Sequence, residues 1–499
     1  MAKKTFSIIL ALLLTVQVIT GCGSEKETDD TSSPSDTTAD STGETTQGEP
    51  NKKDGLWYAD YLPDKDYGGY TFRVVTMDRF PTDVTEENGD VVNDAYYKRN
   101  MLIEGRYNIN FEQTSYPDYS ETTEAFRRSA LAQSDDFDLC RLIQRDAFAA
   151  AIEGLAATPD MLPYIDMSKP WYIQYLNEAL TIDNQSILAY SDECEDAMTG
   201  AMCMYFNKKM LDDLGLESPY TLVRDGTWTY EKMFEYCEKA SVDLNGDGKF
   251  RAGEDRFGLN SEHDMFLGSI WIGANTKTVE KDNDDIPYFS AKGNEKFYSV
   301  YKDTINFAKG KGNFLNMFKV RKPSDEARVE GRQLFANGYS LFYMTTFGFC
   351  LDLRDMQDDF GIIPVPKYDT EQTEYISRII DAWTNIALSC ATDLERTSVI
   401  LEALAVESKN YVIPAIYDNA ITQKGIRDDD SMEMLEIIQK NRVLDLGDTV
   451  WQAVIRAKYD YNFAINNDNV ASLTEAISEQ ADQTISDALE QVEDLKSRG

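Results

Sequence analysis

Tyr70-Thr-Phe-Arg-Val-Val-Thr76 alternates in side-chain character and is rich in β-formers. Asn93 to Tyr107 follows with Ala95, Tyr96, Asn100 and Ile103 near helical spacing, and Ile109-Asn-Phe111 is extended again. Strand, helix, strand in this order predicts a parallel α/β unit, because parallel strands need a crossover that packs on the sheet. The alternation continues through Phe137-Asp-Leu-Cys140, Met202-Cys-Met-Tyr-Phe206 and Ser340-Leu-Phe-Tyr-Met344, so the fold class is α/β. At the far end Leu473, Ile477, Ala481, Ile485, Leu489, Val492 and Leu495 form one apolar helical stripe that should pack on the body.

Upstream of the first strand the composition changes twice. Lys3 and Lys4 precede an apolar run from Phe6 to Ile19, too short for a membrane span, which reads as an export signal over residues 1–21. Ile19-Thr-Gly-Cys22 resembles a bacterial lipobox, with Ile19 where leucine is commoner, and that resemblance implies cleavage before Cys22 and lipidation of its thiol. Ser, Thr, Asp, Glu, Pro and Gly then dominate. Such a chain cannot offset its ordering entropy by burial, so residues 22–67 are assigned to the lipidated cysteine and a disordered polar tether.

The 499-residue chain is long enough for two or three compact units. Its 87 acidic and 49 basic residues give a formal charge of -38, which repels polyanions and excludes nucleic acid as a partner. One histidine, His263, removes most zinc and most nucleophile–histidine chemistry, and in Ser-Glu-His-Asp it reads as a solvated loop residue. Besides Cys22, six cysteines (Cys140, Cys194, Cys203, Cys237, Cys350, Cys390) show no ligand-like spacing and lie mostly in apolar stretches as small buried thiols.

Five further segments, in chain order, carry a resemblance: Met204-Tyr-Phe-Asn-Lys-Lys-Met-Leu-Asp-Asp-Leu-Gly-Leu216, Gly226-Thr-Trp-Thr-Tyr-Glu231, Asp243-Leu-Asn-Gly-Asp-Gly-Lys249 with Arg256-Phe-Gly-Leu259, Leu334-Phe-Ala-Asn-Gly338, and Phe360-Gly-Ile-Ile-Pro-Val-Pro-Lys367. From about Gly68 to the C-terminus the chain resembles the family 1, maltodextrin-binding-like extracellular solute-binding lipoproteins of bacterial ABC importers. The resemblance implies a two-lobed periplasmic-binding-protein type II fold with a hinge, an N-lobe of 68–195 plus 362–392 and a C-lobe of 196–361 plus 393–499. It also implies a monomer on the outer face of the cell membrane that captures a sugar or oligosaccharide between its lobes and delivers it to permease subunits. No catalysis is expected. A glycoside-active enzyme, or a sensor or adhesion protein on the same fold, remains the alternative, since two spaced carboxylates suffice for glycoside hydrolysis.

Sugar rings present C–H faces that stack on flat aromatics. Trp271 in Ser-Ile-Trp-Ile-Gly-Ala and Trp383 in Asp-Ala-Trp-Thr-Asn sit beside small or polar residues and are the stacking candidates, with a core position as the competing reading. Trp228 precedes a helix start at Thr229 and is left out of the site. By resemblance, the loop after the Phe137 strand brings Gln144, Arg145 and Asp146 to the cleft, and the turn after the Ser340 strand brings Thr345, Thr346 and Phe347. A surface ion pair and an ordinary β-to-α loop are the respective alternatives. Asp243-Leu-Asn-Gly-Asp-Gly-Lys-Phe-Arg-Ala-Gly-Glu254 fits the calcium-loop pattern, with Asp243, Asn245, Asp247, the Lys249 carbonyl and Glu254 as ligands of a structural Ca2+. Asp255 competes with Glu254 for the last position, and the same pattern also describes a metal-free Asx-turn loop.

Overall fold

The computed structural model describes residues 51–80, 82–353, 356–380, 382–422 and 428–498. The expected leader 1–21, Cys22 and the tether up to residue 50 lie outside these residues.

The strand Tyr70–Met77 pairs in parallel with Ile109–Tyr116 along its whole length, from Tyr70 opposite Ile109 to Met77 opposite Tyr116. Alternation fixes which face is inward: Phe72 and Val74 are buried while Thr71 is exposed. The helix Val91–Tyr107 makes the crossover. Asp90 starts it by accepting from the Val92 and Asn93 amides, and Asn108, at φ 51°, ends it. Ala95, Tyr96, Asn100 and Ile103 are the buried stripe expected of it. Leu139–Ile143 joins the other edge of the Tyr70 strand, and Trp383–Ile386 closes the N-lobe sheet antiparallel to it.

The C-lobe sheet has five strands in the order Phe314–Asn316, Phe257–Ser261, Ser340–Thr346, Met202–Asn207 and Phe360–Ile363. The first three are parallel, and the Met202 strand runs antiparallel to both its neighbours. Asn207 caps the helix Lys208–Asp213, and Thr229 caps Tyr230–Ala240. Trp228 is fully buried with its indole donating to the Pro364 carbonyl. Gly226 before it sits at φ 68°, and a Cβ there would lie 3.3 Å from Lys367 Nζ.

Three boundaries differ from the sequence reading. The segment from Asn51 onward is folded: Lys52–Lys53 pairs with Leu56–Trp57, Ala59 and Leu62 are buried, and Tyr61 donates to Glu402. Its few apolar side chains reach the N-lobe core, which a tether through residue 67 would not do. Phe360–Ile363 is a C-lobe strand, so the chain returns to the N-lobe between Ile363 and Trp383 rather than at residue 362. Ala201 bridges Ile379, which sets the two crossings side by side. The helices Leu394–Glu407 and Ile413–Thr422 pack against Val91–Tyr107, so they belong with the N-lobe, and the chain re-enters the C-lobe with Asp429–Lys440, which packs on the Phe360 strand.

The C-terminal helix Val470–Arg498 buries Ile477, Ala481, Ile485 and Val492 as its stripe predicted. It packs on the C-lobe segments Pro287–Phe289 and Glu295–Lys309 and on the N-lobe helix Gln144–Ile152. Among the described residues no helix is long and apolar enough to cross a membrane. None of the six described cysteines is in a disulfide; five are buried and Cys390 is half-buried.

One buried ion pair joins the return segment to the C-lobe. Arg378 is fully buried, donates to both Asp448 oxygens at 2.6 and 2.9 Å, and gives Nη1 to the Asp264 and Met265 carbonyls. A buried pair is tolerated when its remaining donors are satisfied in this way, and deleting one partner then costs about 3–5 kcal/mol. Gly268 makes room: a Cβ there would lie 2.6 Å from Arg378 Cζ.

Candidate functional site between the lobes

The N-lobe wall is built where the Tyr70 and Leu139 strands end and the Trp383 strand begins. Register places Trp383 opposite Ile143, and Phe80, Ile143 and Trp383 form a small apolar cluster with Met77. The Phe80 and Trp383 rings lie 4.9 Å apart at 56°. The exposed Arg79 guanidinium is 4.5 Å from the Phe80 ring centre and 5.1 Å from that of Trp383. Arg141, inside the Leu139 strand, stands 4.0 Å from the Phe80 ring and pairs with Glu195 at 3.1 Å and Asp196 at 2.8 Å.

Those two acids lie on the first crossing segment, at the base of the interlobe space. Burial, reinforced by the neighbouring Glu195 charge, holds Asp196 above the usual carboxylate range. Burial acts on Glu195 in the same sense, but Arg141 outweighs it and holds Glu195 below its usual range. Beside them Glu193 accepts from Asn385 at 2.5 Å and from the Cys194 thiol at 2.9 Å.

On the C-lobe side, the Ser340 strand runs into the short helix Phe347–Leu353. Gly348 abuts the crossing segment, so that a Cβ there would be 3.1 Å from Thr199 Cβ. Phe349 is half-buried under the Arg332 guanidinium at 4.4 Å, and Arg332 pairs with Asp352 at 3.2 Å. At the end of the Phe257 strand Glu262 is fully buried, and burial followed by the Asp264 charge pushes its pKa up to about 7. Asp264 pairs with Arg328 at 3.1 Å.

The expected site residues divide. Gln144 and Trp383 are adjacent, since the Gln144 main-chain N–H donates to the Ala382 carbonyl at 2.8 Å, and Gln144 is fully buried. Arg145 and Asp146 pair at 3.6 Å and lean on the helix Tyr119–Ala132, where Arg145 covers the Tyr119 ring at 4.9 Å and Asp146 accepts from Thr123 at 2.8 Å. Thr346 keeps 9% exposure at the strand end, whereas Thr345 and Phe347 are buried. Trp271 is a core residue. It is 1% exposed in the helix His263–Gly273 and packs on Phe297 and Tyr459 at 5.7 and 5.9 Å. His263 opens that helix, half-buried edge-on against Phe318 at 5.5 Å, rather than lying in a solvated loop. Burial lowers its pKa.

No family model matches the sequence, and no curated protein matches it. Solved structures do. A sugar transporter from Rhizobium etli in an open conformation aligns with a TM-score of 0.57 and 15% identity over 82% of this chain and 98% of its own. A maltose/maltodextrin-binding domain from Bdellovibrio bacteriovorus bound to maltotriose gives 0.54 and 13% over 84% and 100%. An ABC substrate-binding protein from Listeria monocytogenes in complex with cycloalternan gives 0.55 and 12% over 84% and 99%. The fold is that of the solute-binding proteins.

Within this solute-binding fold, Arg79, Phe80, Arg141, Glu195, Asp196, Arg332 and Phe349 join the two walls and had not been picked from sequence. Arg141 carried a usable signal: a lone arginine inside Leu-Cys-Arg-Leu-Ile requires buried acids elsewhere. The calcium-pattern loop lies apart from these walls. Asp243 accepts from the Gly246 and Gly248 amides at 2.7 and 2.6 Å, and Asp255 accepts from Leu244 and Arg251. Asp247 and Glu254 share the Arg251 guanidinium at 2.7 and 3.2 Å. The oxygens are of the right hardness for calcium, yet as arranged they are committed to amides and to Arg251 and do not form a cation cage. Among the described residues no group of three or more His, Cys, Asp or Glu could hold a metal.

Proposed function

We propose that this chain is the capture component of an ABC importer, taking a neutral sugar or small oligosaccharide between its lobes and handing it to membrane permeases. The observation that carries the reading is the Phe80–Trp383 ring pair beside Arg79 and Arg141, the latter bound to Glu195 and Asp196 on the first crossing segment, in a fold of this kind. Flat rings supply the apolar surface that a pyranose C–H face needs, while Arg79, Glu195 and Asp196 supply directed donors and acceptors for hydroxyls. Charge supports neutrality. The guanidiniums of Arg141, Arg145, Arg328 and Arg332 are each engaged by a carboxylate, which disfavours an anionic ligand as their partner. The bound sugars of the Bdellovibrio and Listeria proteins support carbohydrate as the class.

Two side-by-side crossings form a hinge of the kind that lets lobes close on a ligand. Lipidation at Cys22, with the following polar segment as a tether, would hold the monomer at the outer face of the membrane while leaving it free to reorient. Thermal-shift screening of a glycan panel, then calorimetry and chromatography of the incubated sugar, tests the reading. Saturable binding with the sugar recovered intact is expected. A cleaved sugar would replace the receptor with a glycoside-active enzyme, and a panel without a single binder would remove carbohydrate.

A further inference from the structure

A second concave surface lies on the C-lobe, away from the interlobe walls. It is a groove of about 780 Å³ between the helices Tyr230–Ala240 and Glu295–Lys309. Asn313 at its end and the neighbouring Gly312 accept from Leu259 and Gly258 near the start of the Phe257 strand, whereas the interlobe wall is at that strand's other end. Its floor is aromatic. Phe234 and Phe307 stack at 4.3 Å and 10°, and Tyr230 meets Phe234 at 6.2 Å and Tyr368 at 5.6 Å.

Its rim is acidic. Glu231, Glu235 and Glu238 line one side, Asp303 and Asp369 the other, and every charged residue of the lining is an acid. The surface cavity lined by Tyr175 and Leu446 differs in this respect, because Lys277, Lys281 and Arg442 also line it. Of the lysines beside the lining, Lys232 and Lys239 both pair with Glu235, and Lys296 stands 6.0 Å from the Tyr368 ring centre. That leaves Glu231 and Glu238, both exposed, without an ion pair among the described residues. Among the described residues Asp303 accepts only from the Tyr368 hydroxyl, at 3.1 Å.

We infer that this groove binds an aliphatic di- or polyammonium cation, its methylenes over the half-buried Phe234 and Tyr368 rings and its ammonium groups on Glu231, Glu238 and Asp303. Spacing fits a linear ligand: seven helical residues separate Glu231 from Glu238, roughly 10 Å along the axis. Hydrogen-bond chemistry fits it too. Helix backbone is internally paired and carboxylates only accept, so the rim suits a ligand that only donates, and an ammonium has three donors and no acceptor. A peptide segment would bring carbonyls for which the rim holds almost no donors. Cations are also attracted to aromatic faces, which favours this floor over a merely acidic surface.

The test uses spermidine as probe and the full chain, because a charge of -38 attracts any polycation diffusely. Calorimetry at about 0.15 M salt should give one saturable site per chain, weakened about tenfold in Glu231→Gln/Glu238→Gln/Asp303→Asn. The remote triple variant Glu479→Gln/Asp482→Asn/Asp487→Asn, on the C-terminal helix, should bind as wild type does. Equal losses in both variants, or no saturation, would reduce the effect to diffuse screening and overturn the site. A lysine-rich peptide that binds the groove more tightly than spermidine would overturn the ligand class. Glycan binding between the lobes should survive the first triple variant, so failure here and failure of the receptor reading are distinguishable.

Discussion

Trp383→Ala tests the interlobe wall most directly, because it separates binding from stability. The ring is 4% exposed and belongs to the small cluster with Phe80, Ile143 and Met77, apart from the main core. Truncating a buried tryptophan costs about 3–5 kcal/mol, and here the exposed Arg79 can settle into the space, which favours the lower end, about 3 kcal/mol. Losing the stacking platform should cost a further 2 kcal/mol or so of binding free energy, about 30-fold in Kd. Trp271→Ala is the comparator. Its ring, among Phe297 and Tyr459, should cost the full core penalty of about 3–5 kcal/mol while the folded fraction binds as before. Calorimetry with the strongest glycan of the panel, well below both melting midpoints and with circular dichroism to confirm folding, gives the two numbers. Folded Trp383→Ala binding within about twofold of wild type would take the Phe80–Trp383 pair out of the site. Folded Trp271→Ala that no longer binds would show that the core assignment of Trp271 is mistaken.

Glu262, pushed from its usual 4.5 up to about 7, keeps in the folded chain a proton that the unfolded chain loses. Its contribution is therefore full below about pH 4.5 and is lost as pH rises through about 7, on the order of 3 kcal/mol, so Glu262→Gln should flatten the fall of Tm over that window; an unchanged slope would assign the fall to other acids. Asp445, raised to about 6 by burial, and Asp460, raised to about 8 by burial, act in the same direction and would supply the remaining slope. Calcium in the Asp243–Glu254 loop is a separate proposal that requires Arg251 to yield its place. Added calcium should raise Tm and chelator lower it, with both responses absent in Asp247→Ala, and a wild-type protein indifferent to both would leave the loop closed by Arg251 alone. Cys22→Ser should move the protein from the membrane fraction to the medium of a Gram-positive host, and full retention would sink the lipid anchor.

Local pattern and long-range pairing account for what could and could not be read from the chain. The strand–helix–strand unit from Tyr70 to Tyr116 was legible because each element announces itself within a few residues: alternation at Phe72 and Val74, then Ala95, Tyr96, Asn100 and Ile103 at helical spacing. The second crossing was not, because Phe360-Gly-Ile-Ile363 and Trp383-Thr-Asn-Ile386 are both short extended runs, and nothing local says which sheet accepts either. Only pairing with Met204–Asn207 in one case and Cys140–Ile143 in the other decides. The two tryptophans show the same limit from another side. Small or polar neighbours made them look alike, yet the segment around Trp271 is Met265-Phe-Leu-Gly-Ser-Ile-Trp-Ile272, apolar all round a helix, and a helix with no polar face is buried. The calcium pattern reads two ways for a deeper reason: Asp, Asn and Gly at these spacings also specify the tight turns such a loop needs, and here Asp243 caps Gly246 and Gly248. Arg251, within the same twelve residues, then supplies positive charge to Asp247 and Glu254. A cation pattern that contains its own guanidinium specifies the shape of the loop before it specifies a metal, which is why a calcium response would require Arg251 to give way.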